Sequence, residues 1–200
     1  AFLNPQVNHV VSHYCLKCGQ RMSRRIPDGD NLERDICDSC GYIDYVNPRI
    51  VTGCVATWGD RILLAKRAIE PRAGFWTLPA GFMEKGETIE EGAARETWEE
   101  ARARVHPGEL ITIIDVPHIG QVHMFYRVEM VSDKHEPGPE STHTGLYAEE
   151  DIPWDEIAFP TVQRTLQHFL DDRRAGEFKL HRFAIPAREA LKRKQQEPTN

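Results

Sequence analysis

Two hundred residues and 22.9 kDa hold one ordinary domain, or one domain with a small appendage, but not two full-sized ones. The chain is 40% hydrophobic and 28% charged, a globular balance, and its net charge of −6 with a pI near 5.9 argues against a nucleic-acid partner, because neutralising phosphates takes an excess of Lys and Arg. No run reaches the roughly 18 apolar residues that a membrane-crossing helix needs, so no membrane partner is expected.

Residues 1–14 read as an arm. Asn4, Pro5, Gln6, Asn8 and His9 interrupt its apolar residues, so it lacks the form of a signal peptide. The expected compartment is the cytoplasm, or an organelle stroma if a transit peptide has been removed. Residues 15–46 carry two like knuckles, Cys15-Leu-Lys-Cys18-Gly19 and Cys37-Asp-Ser-Cys40-Gly41. Each C-x-x-C turn points two sulfurs inward, and the glycine lets backbone amides bend toward them. Together Cys15, Cys18, Cys37 and Cys40 suit a structural Zn²⁺ with tetrahedral coordination and no open position for chemistry. The competing reading, two redox or disulfide couples, is disfavoured because a redox C-x-x-C opens a helix of a βαβ unit. Lys17, Arg21, Arg24, Arg25 and Arg34 are balanced by Asp28, Asp30, Glu33, Asp35 and Asp38, whereas a DNA-reading ribbon leans basic.

Asn47-Pro48 marks a boundary, and residues 47–180 read as the main domain. Ile50–Thr57, a Gly59-Asp60 turn and Arg61–Lys66 form a predicted hairpin, with Cys54 as a small buried residue of its first strand. A Gly- and Pro-bearing stretch follows, from Pro71 to Gly86. Thr88 to about Val105 is predicted as a helix, opened by the capping box Thr88-Ile-Glu-Glu91 and closed before Pro107-Gly108. Leu110–Val116 and Val122–Val131 are predicted strands, and Ser132–Thr144 a long polar loop. Thr161–Ala175 is an amphipathic helix with Gly176 as its stop. Residues 181–200 read as a polar tail with little left to bury.

The predicted helix at residues 88–105 carries the chemistry. At about 100° per residue, with Glu96 as zero, Glu99 falls near 300° and Glu100 near 40°. Ala94, Thr97, Trp98, Ala101 and Val105 gather at about 100–200° as a packing face. Like charges at this spacing destabilise a bare helix by some tenths of a kcal/mol per pair. The plain alternative is a solvated acidic face with Arg95 paired to Glu91. The preceding Gly-rich loop and the mid-helix position favour a hard divalent cation instead, with Mg²⁺ the usual occupant.

Gly81, five residues, Glu87, seven residues and then Arg95-Glu-Thr-Trp-Glu-Glu100 resemble the Nudix hydrolase box, G-x5-E-x7-R-E-U-x-E-E-x-G-U. Thr97 stands where an aliphatic residue is usual, and Arg102 replaces the second box glycine. The resemblance extends from about Cys15 to Leu180, through Gly74-Phe-Trp-Thr-Leu-Pro-Ala-Gly81, Asp115-Val-Pro-His-Ile-Gly-Gln121, Gly138-Pro-Glu-Ser141 and Ile152-Pro-Trp-Asp155. It is to the zinc-ribbon Nudix group that contains plant chloroplast FAD (ADP-ribose) pyrophosphatases.

What the resemblance implies is an α/β fold, an α/β/α sandwich around a mixed β-sheet preceded by a small zinc ribbon. It implies Mg²⁺ or Mn²⁺ on Glu96, Glu99 and Glu100 with a carbonyl of Ala80 or Gly81, and Glu87 and Arg95 bracing the loop against the helix. Glu140, in the long loop, is the candidate further ligand or base, with an ordinary exposed glutamate as the alternative. The implied reaction is hydrolysis of the diphosphate of a dinucleotide, foremost FAD to FMN and AMP, with ADP-ribose as the rival. A second zinc-ribbon Nudix group that hydrolyses NADH carries an S-Q-P-W-P-F-P signature absent here. Trp76 and Phe75 are candidates to stack a flat ring or to pack the core. A homodimer is compatible with the resemblance. The non-enzymatic alternative, a ligand sensor or partner-docking ribbon protein, would show a decayed box, and the acidic box positions here are intact.

Overall fold

The computed structural model describes residues 14–187, and the chain divides into two compact units, Ala1–Pro48 and Arg49–Asn200. Apart from Tyr14, the expected arm lies outside the described residues, as does everything beyond Ala187.

The first unit is a three-stranded antiparallel ribbon of β1 (Met22–Arg25), β2 (Arg34–Cys37) and β3 (Ile43–Asp44). Its two knuckles turn alike. The Gly19 N–H donates to the Cys15 carbonyl at 2.8 Å and the Gly41 N–H to the Cys37 carbonyl at 3.0 Å, with φ of 72° and 71°. An L side chain rarely takes that conformation, which is why a glycine follows each C-x-x-C. The unit buries little besides Cys15, Ile36 and Cys37, too small a core to hold itself without a staple.

In the second unit the predicted hairpin appears as β4 (Arg49–Trp58) and β5 (Arg61–Arg67), followed by short β6 (Trp76–Thr77) and β7 (Ala80–Phe82). Helix α1 (Ile89–Ala101) precedes β8 (Glu109–Val116), β9 (Gln121–Glu129) and β10 (Ser141–Tyr147), then α2 (Pro160–Ala175) and β11 (His181–Ala184). The sheet runs β10-β5-β4-β9-β8-β11, with β6 on β5 and β7 on β4. It is mixed, because β4 and β9 pair parallel, as do β8 and β11.

Alternation along the central strands builds two cores. Cys54, Ala56 and Leu63 join Ala93 and Ala101 of α1 on one face. Val55, Ile62, Leu64 and Phe125 join Val162, Leu166, Phe169 and Leu170 of α2 on the other. The result is an α/β/α sandwich. Among the described residues no helix is long and apolar enough to cross a membrane.

Two expectations are corrected. Residues 181–187 are not a polar tail: β11 adds a parallel edge strand to β8, and Ile185 is 1% exposed in the α2-side core. Asp172 of α2 anchors the connection, accepting from the Lys179 N–H at 3.1 Å and from His181 Nε2 at 2.8 Å. The long loop also ends earlier than Thr144, because β10 begins at Ser141 and runs beside β5.

Candidate active site

The capping box forms as expected. Thr88 Oγ1 accepts the Glu91 N–H at 3.2 Å, and the Glu91 carboxylate accepts the Thr88 N–H at 2.7 Å. Helix α1 then stops at Arg102 rather than near Val105, with Arg102 left-handed at φ 50° and its N–H on the Trp98 carbonyl at 2.9 Å. The second box glycine is therefore a helix-terminating position, and Arg102 occupies it under backbone strain. Thr97 is fully buried, and its hydroxyl donates to the Ala93 carbonyl at 2.8 Å, which explains a polar residue at an aliphatic position. Trp98 departs from the expected packing face. It is exposed, with the Arg104 guanidinium 4.4 Å from its ring centroid.

Glu96, Glu99 and Glu100 project from α1 into a cavity of about 960 Å³, also lined by Ala80, Gly81, Arg95 and Glu140. Gly81 lets strand β7 lie against Glu96, since a Cβ there would sit 2.3 Å from Glu96 Oε1. Arg95 pairs with Glu87, as the resemblance implies, and not with Glu91, as the plain alternative of a solvated acidic face would have it. Its Nε and Nη2 donate to both oxygens of Glu87 at 2.9 and 2.8 Å, and its Nη1 donates to Glu96 at 2.8 Å and Glu99 at 3.0 Å. The Phe82 carbonyl accepts from Nη2 at 3.1 Å, tying the loop to the helix. The Arg95 guanidinium holds Glu87 below the usual carboxylate range.

Glu96 and Glu100 shift the other way. Burial raises Glu96 despite Arg95, with Glu99 and Glu140 adding to the rise. Burial pushes Glu100 up to about 8, against the Ala80 N–H it accepts at 3.2 Å and with Glu96 and Glu140 reinforcing. Clustered, partly desolvated carboxylates stay raised although Arg95 and Arg67 lie beside them, a shortage of positive charge that a hard divalent cation with oxygen ligands would offset. The donor set therefore fits Mg²⁺ or Mn²⁺.

The loop before β10 closes over the end of α1. The Gly138 N–H donates to the Glu100 carbonyl at 2.9 Å and the Glu136 N–H to the Ala101 carbonyl at 2.9 Å. These donors satisfy carbonyls that a helix end leaves orphaned. A Cβ on Gly138 would lie 1.7 Å from the Glu99 carbonyl oxygen, so only glycine allows the approach. Glu140 follows two residues later, its carbonyl accepting the Ala68 N–H at 2.8 Å, and it reaches the same cavity as the helix carboxylates.

The rest of the lining was not legible as a site. The first residues of β4 and β9 (Val51, Gln121, His123) meet the last residues of β5, β7 and β8 (Arg67, Phe82, Val116) and the start of α2 (Pro160, Thr161). Phe82 and Phe159 are the aromatic rings of the cavity. Phe75 and Trp76 are not among its lining residues: Trp76 packs edge-on against Tyr147 at 5.1 Å, and Phe75 lies under Arg72. Cys54 is 1% exposed, and burial pushes its thiol up to about 12, in keeping with an inert core residue.

In the ribbon, the ligand atoms of Cys15, Cys18, Cys37 and Cys40 all lie within 4.8 Å of one another. The Cys15–Cys40 and Cys18–Cys37 sulfurs are 3.7 and 3.5 Å apart. A tetrahedron with Zn–S bonds of about 2.3 Å has edges of about 3.8 Å, so the thiols already stand at zinc spacing. Backbone N–H groups of Cys40 and then Ser39 pull the Cys37 thiol down to about 7, while, against a Gln20 backbone hydrogen bond, the neighbouring Cys37 and Cys40 sulfurs push Cys18 up to about 12, so the sulfurs share protons that zinc would displace.

The NUDIX domain family matches residues 47–172, and the Nudix N-terminal zinc-ribbon family matches residues 13–46. A NUDIX hydrolase of Nitrosomonas europaea, known as a crystal structure, superposes with a TM-score of 0.84 at 45% identity, covering 86% of this chain and 98% of that one. An NAD-capped RNA hydrolase NudC of Haemophilus influenzae is 37% identical over 101 residues, 48% of this chain and 36% of that protein. An ADP-ribose pyrophosphatase of Methanocaldococcus jannaschii is 35% identical over 82 residues, 41% of this chain and 44% of that protein. The matched region thus spans well under half the length of these two curated relatives.

Proposed function

The chain belongs to the Nudix family, and from that premise we propose that it hydrolyses the diphosphate bond of a dinucleotide, with FAD cleaved to FMN and AMP as the leading reaction. The observation that carries this is a single cavity in which Glu96, Glu99, Glu100 and Glu140 share walls with Phe82, Phe159 and Ile119. One part suits a charged diphosphate, and the other suits a flat apolar ring.

In this reading Glu96, Glu99 and Glu100, with a carbonyl of Ala80 or Gly81, hold Mg²⁺ or Mn²⁺. Such a cation neutralises phosphoryl charge and makes water a better nucleophile at neutral pH. Arg95, pinned by Glu87, fixes the rotamers of Glu96 and Glu99. Glu140, anchored by the loop on the end of α1, either joins the ligand set or takes the proton of the attacking water through its carboxylate. The ribbon zinc is structural and stands apart from this chemistry.

The second reading is an NAD-bearing substrate, favoured by the likeness to proteins named NAD-capped RNA hydrolases. ADP-ribose, which carries only a sugar and no aromatic base on its second half, makes less use of the aromatic lining. Turnover with Mg²⁺ of FAD, ADP-ribose, NADH and a diadenosine polyphosphate, with product masses and FMN fluorescence, tests the proposal. FMN and AMP are the expected products of FAD. An ADP-ribose kcat/KM tenfold or more above that of FAD, about 1.4 kcal/mol in transition-state terms, overturns the flavin assignment and leaves the hydrolase assignment standing.

A further inference from the structure

Among the described residues, two buried side-chain polar atoms lack a hydrogen-bond partner, His118 Nδ1 and Thr161 Oγ1, and both residues line the active-site cavity. They come from separate parts of the chain. His118 sits in a single 3-10 turn, Pro117–Ile119, between β8 and β9, and Thr161 is the second residue of α2. Thr161 is 4% exposed. Its hydroxyl does not cap α2, whose first turn makes no side-chain capping bond.

An unsatisfied buried hydroxyl and imidazole nitrogen both oppose folding, and at the buried Thr161 position valine would avoid that cost, while His118 is half-buried with its Nδ1 shielded. Their shared place on one cavity gives them a use. We infer that Thr161 and His118 form a ring-reading subsite, which takes the amide or imide edge of a neutral flat heterocycle on the half of the dinucleotide not held by the carboxylates. The inference rests on the dinucleotide reading of the cavity.

The chemistry of the wall selects that ligand class. Thr161 Oγ1 both donates and accepts, and a neutral imidazole nitrogen accepts or donates according to its tautomer. A group presenting N–H beside C=O offers a partner to either atom. Phosphate, which only accepts, matches less well, and the nearby cations are engaged. Arg67 Nε donates to the Pro71 carbonyl at 2.8 Å with its guanidinium 5.1 Å from the Phe159 ring centroid, and Arg95 is held by glutamates. Among the other residues lining the cavity, Val116, Ile119, Phe159 and Ile185 are apolar. Both polar atoms are shielded from solvent in this structure, so the subsite requires each side chain to turn toward the ring as it enters. An analogue without the matching edge leaves them unpaired, which is how a site of this kind discriminates.

Equilibrium binding of FAD, NADH and ADP-ribose without added divalent cation tests the subsite independently of turnover. Wild type is expected to bind FAD or NADH more tightly than ADP-ribose. Thr161→Val and His118→Leu are each expected to weaken the ring-bearing ligand tenfold or more while changing ADP-ribose less than threefold. Thr161→Ser, which keeps the hydroxyl, is expected to retain the affinity. Thr161→Val should melt no lower than wild type, since it removes a group the fold leaves unsatisfied. Equal losses for all three ligands, no loss for any, or a wild type without preference for a ring-bearing ligand overturns the subsite. Failure of the hydrolase reading shows separately, as absent turnover with Mg²⁺, and leaves the affinity comparison intact.

Discussion

His123 makes the stability of the second unit sensitive to mild acid. It lies at the start of β9, where Gln121 Oε1 accepts from its Nε2 at 2.8 Å, which places a proton on that nitrogen. Burial pushes it down to about 4, against an ordinary value of 6.5. Below pH 6.5 the unfolded chain takes up a proton that the fold refuses, so its contribution is fully present above that pH and is lost toward pH 4. Linkage puts the loss at about 2 kcal/mol between pH 7.5 and 5, and about 3 kcal/mol by pH 4. Glu100 works in the opposite sense, because its raised value makes the fold the better proton binder as pH falls from about 8. Comparing wild type with His123→Gln cancels that contribution. Urea melts at pH 7.5, 6 and 5 can be followed by tryptophan fluorescence, since Trp58, Trp76, Trp98 and Trp154 all belong to the second unit. The variant should lose about 2 kcal/mol less than wild type between pH 7.5 and 5. Equal losses in the two proteins, within about 0.5 kcal/mol, would refute the claim that the native ring resists protonation.

Other perturbations address the site and the ribbon. Glu96→Gln and Glu100→Gln should fold normally and lower kcat on the order of 100-fold at saturating Mg²⁺, and wild-type-like kcat in either removes the role assigned to it. Elemental analysis of the reduced protein should find about one zinc per chain. Cys15→Ser or Cys40→Ser should lose that zinc and unfold the ribbon; disulfides without zinc in the native protein would contradict this. Arg102→Gly should raise stability by about 1 kcal/mol by relieving the left-handed α1 terminus, and an unchanged urea midpoint would mean that the strain is compensated. Gly138→Ala should cost about 1–3 kcal/mol, since its methyl meets the Glu99 carbonyl, and an unaltered melt would rule out so close an approach.

How much was legible follows from how local each feature is. The two knuckles are four-residue turns whose glycines are needed in place, so both spacing and geometry show in the sequence. The carboxylate face of α1 is likewise a matter of i, i+3 and i+4 positions on one helix. Its end was harder to read. Arg102 looks helical by periodicity, yet the chain turns left-handed there, and the capping donors arrive from Glu136 and Gly138, more than thirty residues downstream. The strand at His181–Ala184 was missed because an edge strand of four residues with alternating exposure carries no run of apolar residues to announce it. What holds it, Asp172 and the parallel pairing with β8, is tertiary.

The same division runs through the cavity. The part proposed to meet a diphosphate is drawn chiefly from residues 80–100, a contiguous stretch, because metal and phosphate chemistry asks for the same carboxylate spacing whatever is attached. The part proposed for the rest of a substrate is assembled where β4 and β9 begin, β8 ends and α2 starts, elements distant in sequence that mixed sheet topology brings to one end. Phe82 was hidden beside the box, and Phe159 looked like a residue before a helix. Trp76, the more conspicuous ring, went into the core against Tyr147. Aromatic character near the motif therefore did not locate the ring site. The proposed ring subsite rests instead on the orphaned atoms of His118 and Thr161, since each is a cost that the fold carries without an internal partner. Substitutions in the box should change turnover for every dinucleotide alike, whereas substitutions at residues 118, 159 and 161 should reorder the substrates.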